Sequence, residues 1–127
     1  MADEHDGAEL CDWCGTVITD GSELYSFARD SSVIHSRNPR FDGHRFLTAC
    51  GHEHMQQLIE QYHQRLFVEA ELWAGKIERA IKQHPGQRID DATLVELTGL
   101  TVDQIHQGID YQNKQVREFW RGRRRGR

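Results

Sequence analysis

Residues 11–15 read Cys-Asp-Trp-Cys-Gly, and 35 residues separate Cys14 from Cys50, which opens the stretch "CGHEH". These are the chain's three cysteines. An odd number cannot form a fully paired disulfide framework. In a reducing compartment a CxxC stretch instead signals metal or redox chemistry. Two thiolates at this spacing converge on one ion, and Gly15 lets the backbone turn so that amide N–H groups face the sulfurs. Cys50 and His54 stand four apart where a helix begins, so their side chains share one face. The positive end of that helix favours a thiolate at Cys50. His52, two positions on, points to the opposite side of a helix with 3.6 residues per turn. The spacing therefore selects His54 if the helix has begun at Cys50, and a later start leaves His52 open. Glu53 is within reach, but closed sites prefer nitrogen and sulfur. Cys11, Cys14, Cys50 and His54 would hold one tetrahedral Zn²⁺. With no protein position left for water or substrate, its role would be structural.

Such a staple answers a need. The chain has 127 residues, of which 37% are hydrophobic, and chains of this size gain from a metal or a partner subunit. A thioredoxin-like redox pair would require a βαβ pattern around Cys11, which is missing. An iron–sulfur centre would require a larger site. The opening "MADEHDGAE" is acidic and lacks the order of a secretory signal. No apolar run approaches the ~20 residues that span a bilayer. The expectation is a cytoplasmic protein without membrane contact.

Turn signals and hydrophobic periods divide the chain. Residues 1–9 form an acidic lead, expected to be disordered. "TVITDGSELYSF" (16–27) alternates around Asp20-Gly21 as a hairpin would. "RNPRFDGHRFL" (37–47) carries two more turn dipeptides and a short strand ending near Leu47. From Met55 to Ile81 apolar residues recur at threes and fours, predicting helix over 51–84. It is either continuous or bent near Phe67-Val68, and Pro85-Gly86 stops it. Asp90 caps a short helix with Ile89 and Leu94 as a staple. Thr101 and Gln104 form a capping box for the next helix, with Leu100 and Ile105 as a second staple.

The knuckle, hairpin and helix-borne ligand pair resemble a treble-clef zinc finger over about residues 10–65. That resemblance implies the metal role for Cys11, Cys14, Cys50 and His54. Histidine-rich treble clefs also occur in HNH-type nucleases, and His35, Asp42 and His44 lie close in sequence. No HNH motif, phosphate loop or serine nucleophile motif accompanies them, so the chain reads as non-enzymatic.

"LVELTGLTVDQIHQGI" resembles a helix-turn-helix, with 68–83 as its supporting helix. The resemblance implies that Val102, Asp103, Gln104, His106 and Gln107 face a DNA groove. Gly108 stands where that motif usually has an apolar residue. The competing reading is a small helical bundle. Net charge is −4, but five arginines lie in "RGRRRGR", leaving −9 for the other 120 residues. Arg121, Arg123, Arg124, Arg125 and Arg127 resemble the centre of an AT-hook and would seek a polyanion. The chain as a whole is similar to small actinobacterial proteins that join a CxxC zinc knuckle to a helical C-terminus.

The reading is an α+β chain: a zinc-stabilised, treble-clef-like β-hairpin unit at 10–66, then a mainly helical, helix-turn-helix-like unit at 67–120. A disordered Arg/Gly tail is expected at 121–127. The expected function is a zinc-containing, DNA-binding regulatory protein, with a homodimer open to it in the manner of paired half-site readers. The alternative is a protein-interaction adaptor with the same zinc and no specific DNA readout.

Overall fold

The computed structural model describes residues 8–125. Residues 1–7 of the acidic lead, and Gly126 and Arg127 of the tail, lie outside that span. The fold is α+β, with two small antiparallel hairpins followed by four helices. Among the described residues, no helix is long and apolar enough to cross a membrane. The described chain divides into two units, one of 8–30 with His44–Phe67, the other of Ser31–Gly43 with 68–125.

In the first unit, β1 (Glu9–Leu10) pairs with β2 (Val17–Ile18), and β3 (Leu24–Arg29) pairs with β4 (His44–Ala49). This corrects two expectations. Glu9, assigned to the disordered lead, is paired with Ile18. The alternation at 16–27 is not one hairpin, because Asp20-Gly21 separates strands of different sheets. The turn itself forms: Gly21 has φ +79° and Ser22 donates twice to Asp20 Oδ1. Alternation cannot choose a strand's partner. Here Ile18 pairs backward across the knuckle and Leu24 pairs forward with Ala49. Period-2 patterning then sorts the side chains. Leu24, Leu47 and Ala49 turn inward, whereas Tyr25, Phe27 and Phe46 stay more than half or nearly half exposed. Helix α1 (His52–His63) lays Met55 and Leu58 onto β3 and β4, closing a core with Cys11, Ile18 and Leu47. Asp30, buried at the end of β3, accepts from Arg45 Nε at 2.8 Å and Arg65 Nη1 at 3.3 Å.

The run predicted over 51–84 is two helices, with α2 (Glu69–Gln83) beginning just past the suspected bend. Val68 is extended (φ −110°, ψ 108°), and its N–H donates to Ser31 Oγ at 3.0 Å while that hydroxyl donates to Glu71 at 2.6 Å. A serine 37 positions upstream thus supplies the cap that no local residue provides.

In the second unit, segment 31–43 is fastened to α2. The sequence placed it with the zinc-binding hairpins. The buried Asp42 carboxylate accepts from Arg79 Nη1 at 2.7 Å and from the His35 amide at 3.0 Å; Arg79 also donates to the His35 carbonyl. Gly75 makes room for Ile34, since a Cβ there would stand 2.5 Å from Ile34 Cγ1. Helices α3 (Asp91–Thr98) and α4 (Val102–Arg125) pack on α2 around Ile77, Ala80, Leu94, Leu100 and Ile105. Both caps form as the sequence implied. Asp90 accepts from the Thr93 amide, and Thr101 and Gln104 exchange side-chain-to-amide bonds at 3.0 and 3.1 Å. Gly108 has a packing reason, because a Cβ there would meet Ala74 N and Ile77 Cδ1 at 3.0 Å. The tail expected to be disordered at 121–127 is instead helical as far as Arg125. Arginine is a good helix former, and cations at a helix C-terminus are favoured by its dipole.

The Arg79 and Asp42 side chains are only 14% and 1% exposed, so removing one leaves a buried charge unpaired. Arg79→Ala is expected to lower the unfolding free energy by about 3–5 kcal/mol in urea titration. Lys82→Ala, which breaks an exposed pair with Glu78, is expected to change it by less than about 1 kcal/mol.

Candidate metal centre

The turn between β1 and β2 is the CxxCG stretch. The Cys11 amide donates to the Thr16 carbonyl at 2.9 Å, and the Gly15 amide returns to the Cys11 carbonyl at 2.8 Å. Gly15 completes the turn at φ +77°, where a side chain would be strained. Asp12 locks this turn to the opposite hairpin. Its amide donates to the Thr48 carbonyl and its carboxylate accepts from the Thr48 amide, each at 2.8 Å. Since β4 runs directly into Cys50 and α1, the same contact sets the distance between the two ligand pairs.

Cys11, Cys14, Cys50 and His54 each present one donor atom, and all four atoms lie within 4.8 Å of one another. Cys50 Sγ is 3.2 Å from His54 Nδ1, Cys11 Sγ is 3.8 Å from that nitrogen, and Cys14 Sγ is 3.9 Å from Cys50 Sγ. A tetrahedral ion with arms of ~2.3 Å to sulfur and ~2.0 Å to nitrogen requires donor separations of roughly 3.5–3.8 Å. The arrangement is compatible with one zinc ion.

Helix α1 begins at His52, after Gly51 in a fully extended conformation (φ −175°, ψ 175°). The helix therefore has not begun at Cys50, the condition under which the spacing selected His54. His54 is nonetheless the histidine that joins the sulfurs, and His52 is exposed in the helix's first position. The extended Gly51 carries Cys50 back toward the knuckle, so a one-turn geometric relation is not needed.

The electrostatics suit cation binding. Burial pushes the Cys11 thiol up, but the amides of Cys14, Trp13 and Cys50, with His54, outweigh it and bring it down to about 6. The Thr16 hydroxyl, 2.9 Å away, lowers Cys14. Cys50 is pushed up to about 11 by burial and then by the neighbouring sulfurs of Cys11 and Cys14. His54 is raised, chiefly by its contact with Cys11. Cys11 is buried in the core, whereas Cys14 is exposed, leaving one side of the cluster open to solvent. Thr16 and Asp12 support the donors and were not singled out in the sequence. Nothing in their local pattern marks them, because their roles depend on the second hairpin and on the sulfur position.

The other candidate residues do not form a comparable centre. Asp42 is committed to Arg79, and the His35 amide to Asp42. Among the described residues, the three sulfurs and His54 are the group of metal-ligating type that converges. Of the DNA-facing positions, Val102 is exposed and Gln104 closes the capping box. His106 bonds Asp91 at 2.8 Å and Gln107 bonds Asp103 at 2.6 Å. Arg121, Arg123, Arg124 and Arg125 lie at the far end of the same helix, whose length is ~36 Å at 1.5 Å per residue. Arg127 lies outside the described residues. Comparison of the chain with protein-family models, curated proteins and solved structures finds no match.

Metal binding needs three thiolates and a neutral imidazole, so protons must leave Cys50 and the protonated fractions of Cys14 and His54. Zn²⁺ association at pH 7 is expected to release protons, Cys50 foremost, read by calorimetry in buffers of different ionisation enthalpy. Affinity should rise with pH as fewer protons remain to be displaced. Thr16→Val is expected to weaken binding about tenfold. His54→Ala should weaken it far more, and His52→Ala should leave it unchanged.

Proposed function

We propose that this chain is a non-enzymatic interaction module in which Cys11, Cys14, Cys50 and His54 hold one structural Zn²⁺ and the helical unit presents the docking surface. A structural zinc in a small module is worth ~10–16 kcal/mol, as much as the whole net stability of a typical domain at ~5–15 kcal/mol. Loss of the ion would unfold the hairpin unit. Four protein donors close the coordination shell, so the metal supports the fold and does no chemistry.

The single observation that carries the choice of docking module is the charge around the start of α4. His106 bonds Asp91 at 2.8 Å, and its basicity is raised first by that contact and further by the charges of Asp110 and Asp103. A helix entering a DNA groove with Asp103 in its first turn, Asp110 two turns on and Asp91 of α3 beside it would meet phosphates with repulsion. Gln104 and Gln107, the side chains suited to base edges, are already bonded within the protein.

The second reading is a DNA-binding regulatory protein. It is favoured by the α3–turn–α4 arrangement, in which Gly99 turns the chain at φ +76°, and by the arginine-rich end of α4. Gel-shift titration across salt separates the two. The interaction module is expected to bind duplex DNA only weakly. That binding should vanish near ~150 mM salt, where the Debye length is ~8 Å, and on deletion of residues 121–127. A complex that keeps a preference for particular sequences at that salt would establish the regulatory reading instead.

A further inference from the structure

Helix α4 is longer than the core it serves. Gly108 and Ile105 are buried against α2, whereas every residue from Gln112 to Arg123 is exposed. This exposed stretch is not uniformly polar. Ile109, Val116, Phe119 and Trp120 recur at sevens, threes and fours, forming one apolar stripe with Phe119 and Trp120 60% and 51% exposed. The upper part of that stripe borders an open groove between α2 and α4. Ile77 and Ile81 line one wall, Gly108 and Ile109 the other, and the groove encloses about 290 Å³. One helix thus carries both an apolar groove and, ~16 Å further along at 1.5 Å per residue, two half-exposed aromatic side chains that pack edge-to-face on each other, with Arg123 over the Trp120 ring.

Charge along α4 states which direction a covering helix must run. Residues 102–113 contain Asp103 and Asp110 and no lysine or arginine. Residues 114–125 contain Lys114 and five arginines against the single carboxylate of Glu118. Parallel pairing would set the cationic halves side by side. Antiparallel pairing lays each cationic half along an acidic one, while on the groove's rim Glu78 and Lys82 pair with each other and leave the choice of direction to α4.

We infer that two copies of this chain associate through α4 in antiparallel fashion, with Phe119 and Trp120 of each seated in the α2–α4 groove of the other. The surface is self-complementary, as a two-fold interface must be, because each copy offers the knob and the hole at once. Setting Ile109 of one copy across from Trp120 of the second brings Asp110 level, along the helix axis, with the turn of the second copy that carries Arg117 and Arg121. The stripe has the three-four spacing of a coiled-coil seam. This interface goes beyond the docking-module reading and is tested separately from it, since it involves no metal ligand and no nucleic acid.

The test is sedimentation equilibrium of the full, zinc-loaded chain, with circular dichroism to verify folding. The expected result is twice the 14.8 kDa chain mass, reduced to a monomer of unchanged helicity by Trp120→Glu. Asp110→Arg is expected to weaken the dimer about tenfold through like-charge contact. Combining it with Arg117→Glu and Arg121→Glu should restore association, a rescue that a loss of folding could not produce. A monomer at every concentration would overturn the inference. So would a dimer indifferent to Trp120→Glu, charge reversal without rescue, or association that appears only with added duplex DNA.

Discussion

Three sulfurs within 4.8 Å of one another and of an imidazole nitrogen repel whenever more than one of them is a thiolate, and a divalent cation among them turns that repulsion into attraction. Cys50 is pushed up to about 11 first by burial and then by that repulsion from the Cys11 and Cys14 sulfurs. The pull on Cys11 to about 6 expresses the opposite tendency, since amide N–H groups from both ligand pairs already face its sulfur. The hairpins are too small to hold such a cluster by burial alone: β1 and β2 have two residues each. The fold of the first unit and the chemistry of its donor set are therefore one problem with one solution.

The second unit depends on a different device. Its helices share a modest core of five buried residues, and segment 31–43 adds an arginine–carboxylate pair with little exposure. A buried ion pair of this kind does not add stability over an apolar replacement, but it admits few alternative arrangements. It determines where the long connection between β3 and β4 goes. Gly75 and Gly108, both inside helices, meet the same need for close approach. Each costs helix propensity and returns a contact that a Cβ would block.

Local chemistry was legible wherever the partners lie within a few residues. The cap at Asp90 and the capping box of Thr101 with Gln104 follow from short spacing. The strand pairing was not legible, because the alternation at 16–27 suits either sheet. The ends of the helical run were equally hidden. Its interruption at residues 64–68 contains neither glycine nor proline, and the serine that caps α2 comes from residue 31. The arginine tail was misjudged because repeated Arg-Gly suggests disorder by composition, while the helix behind it propagates through residues of good intrinsic propensity.

The sequence by itself determined the inventory: which atoms can bind a metal, which residues cap helices, where charge changes sign, and that both sheet and helix occur. These depend on residue type and near-neighbour spacing, which a linear chain carries in full. Only the tertiary structure decided that His54 reaches the sulfurs although the helix starts after Cys50. It likewise decided that Asp42 is spent on Arg79, and that His106 of α4 pairs with Asp91 of α3. Those outcomes depend on contacts between residues about fifteen to more than forty positions apart, whose distances are set by packing and cannot be read from spacing along the chain.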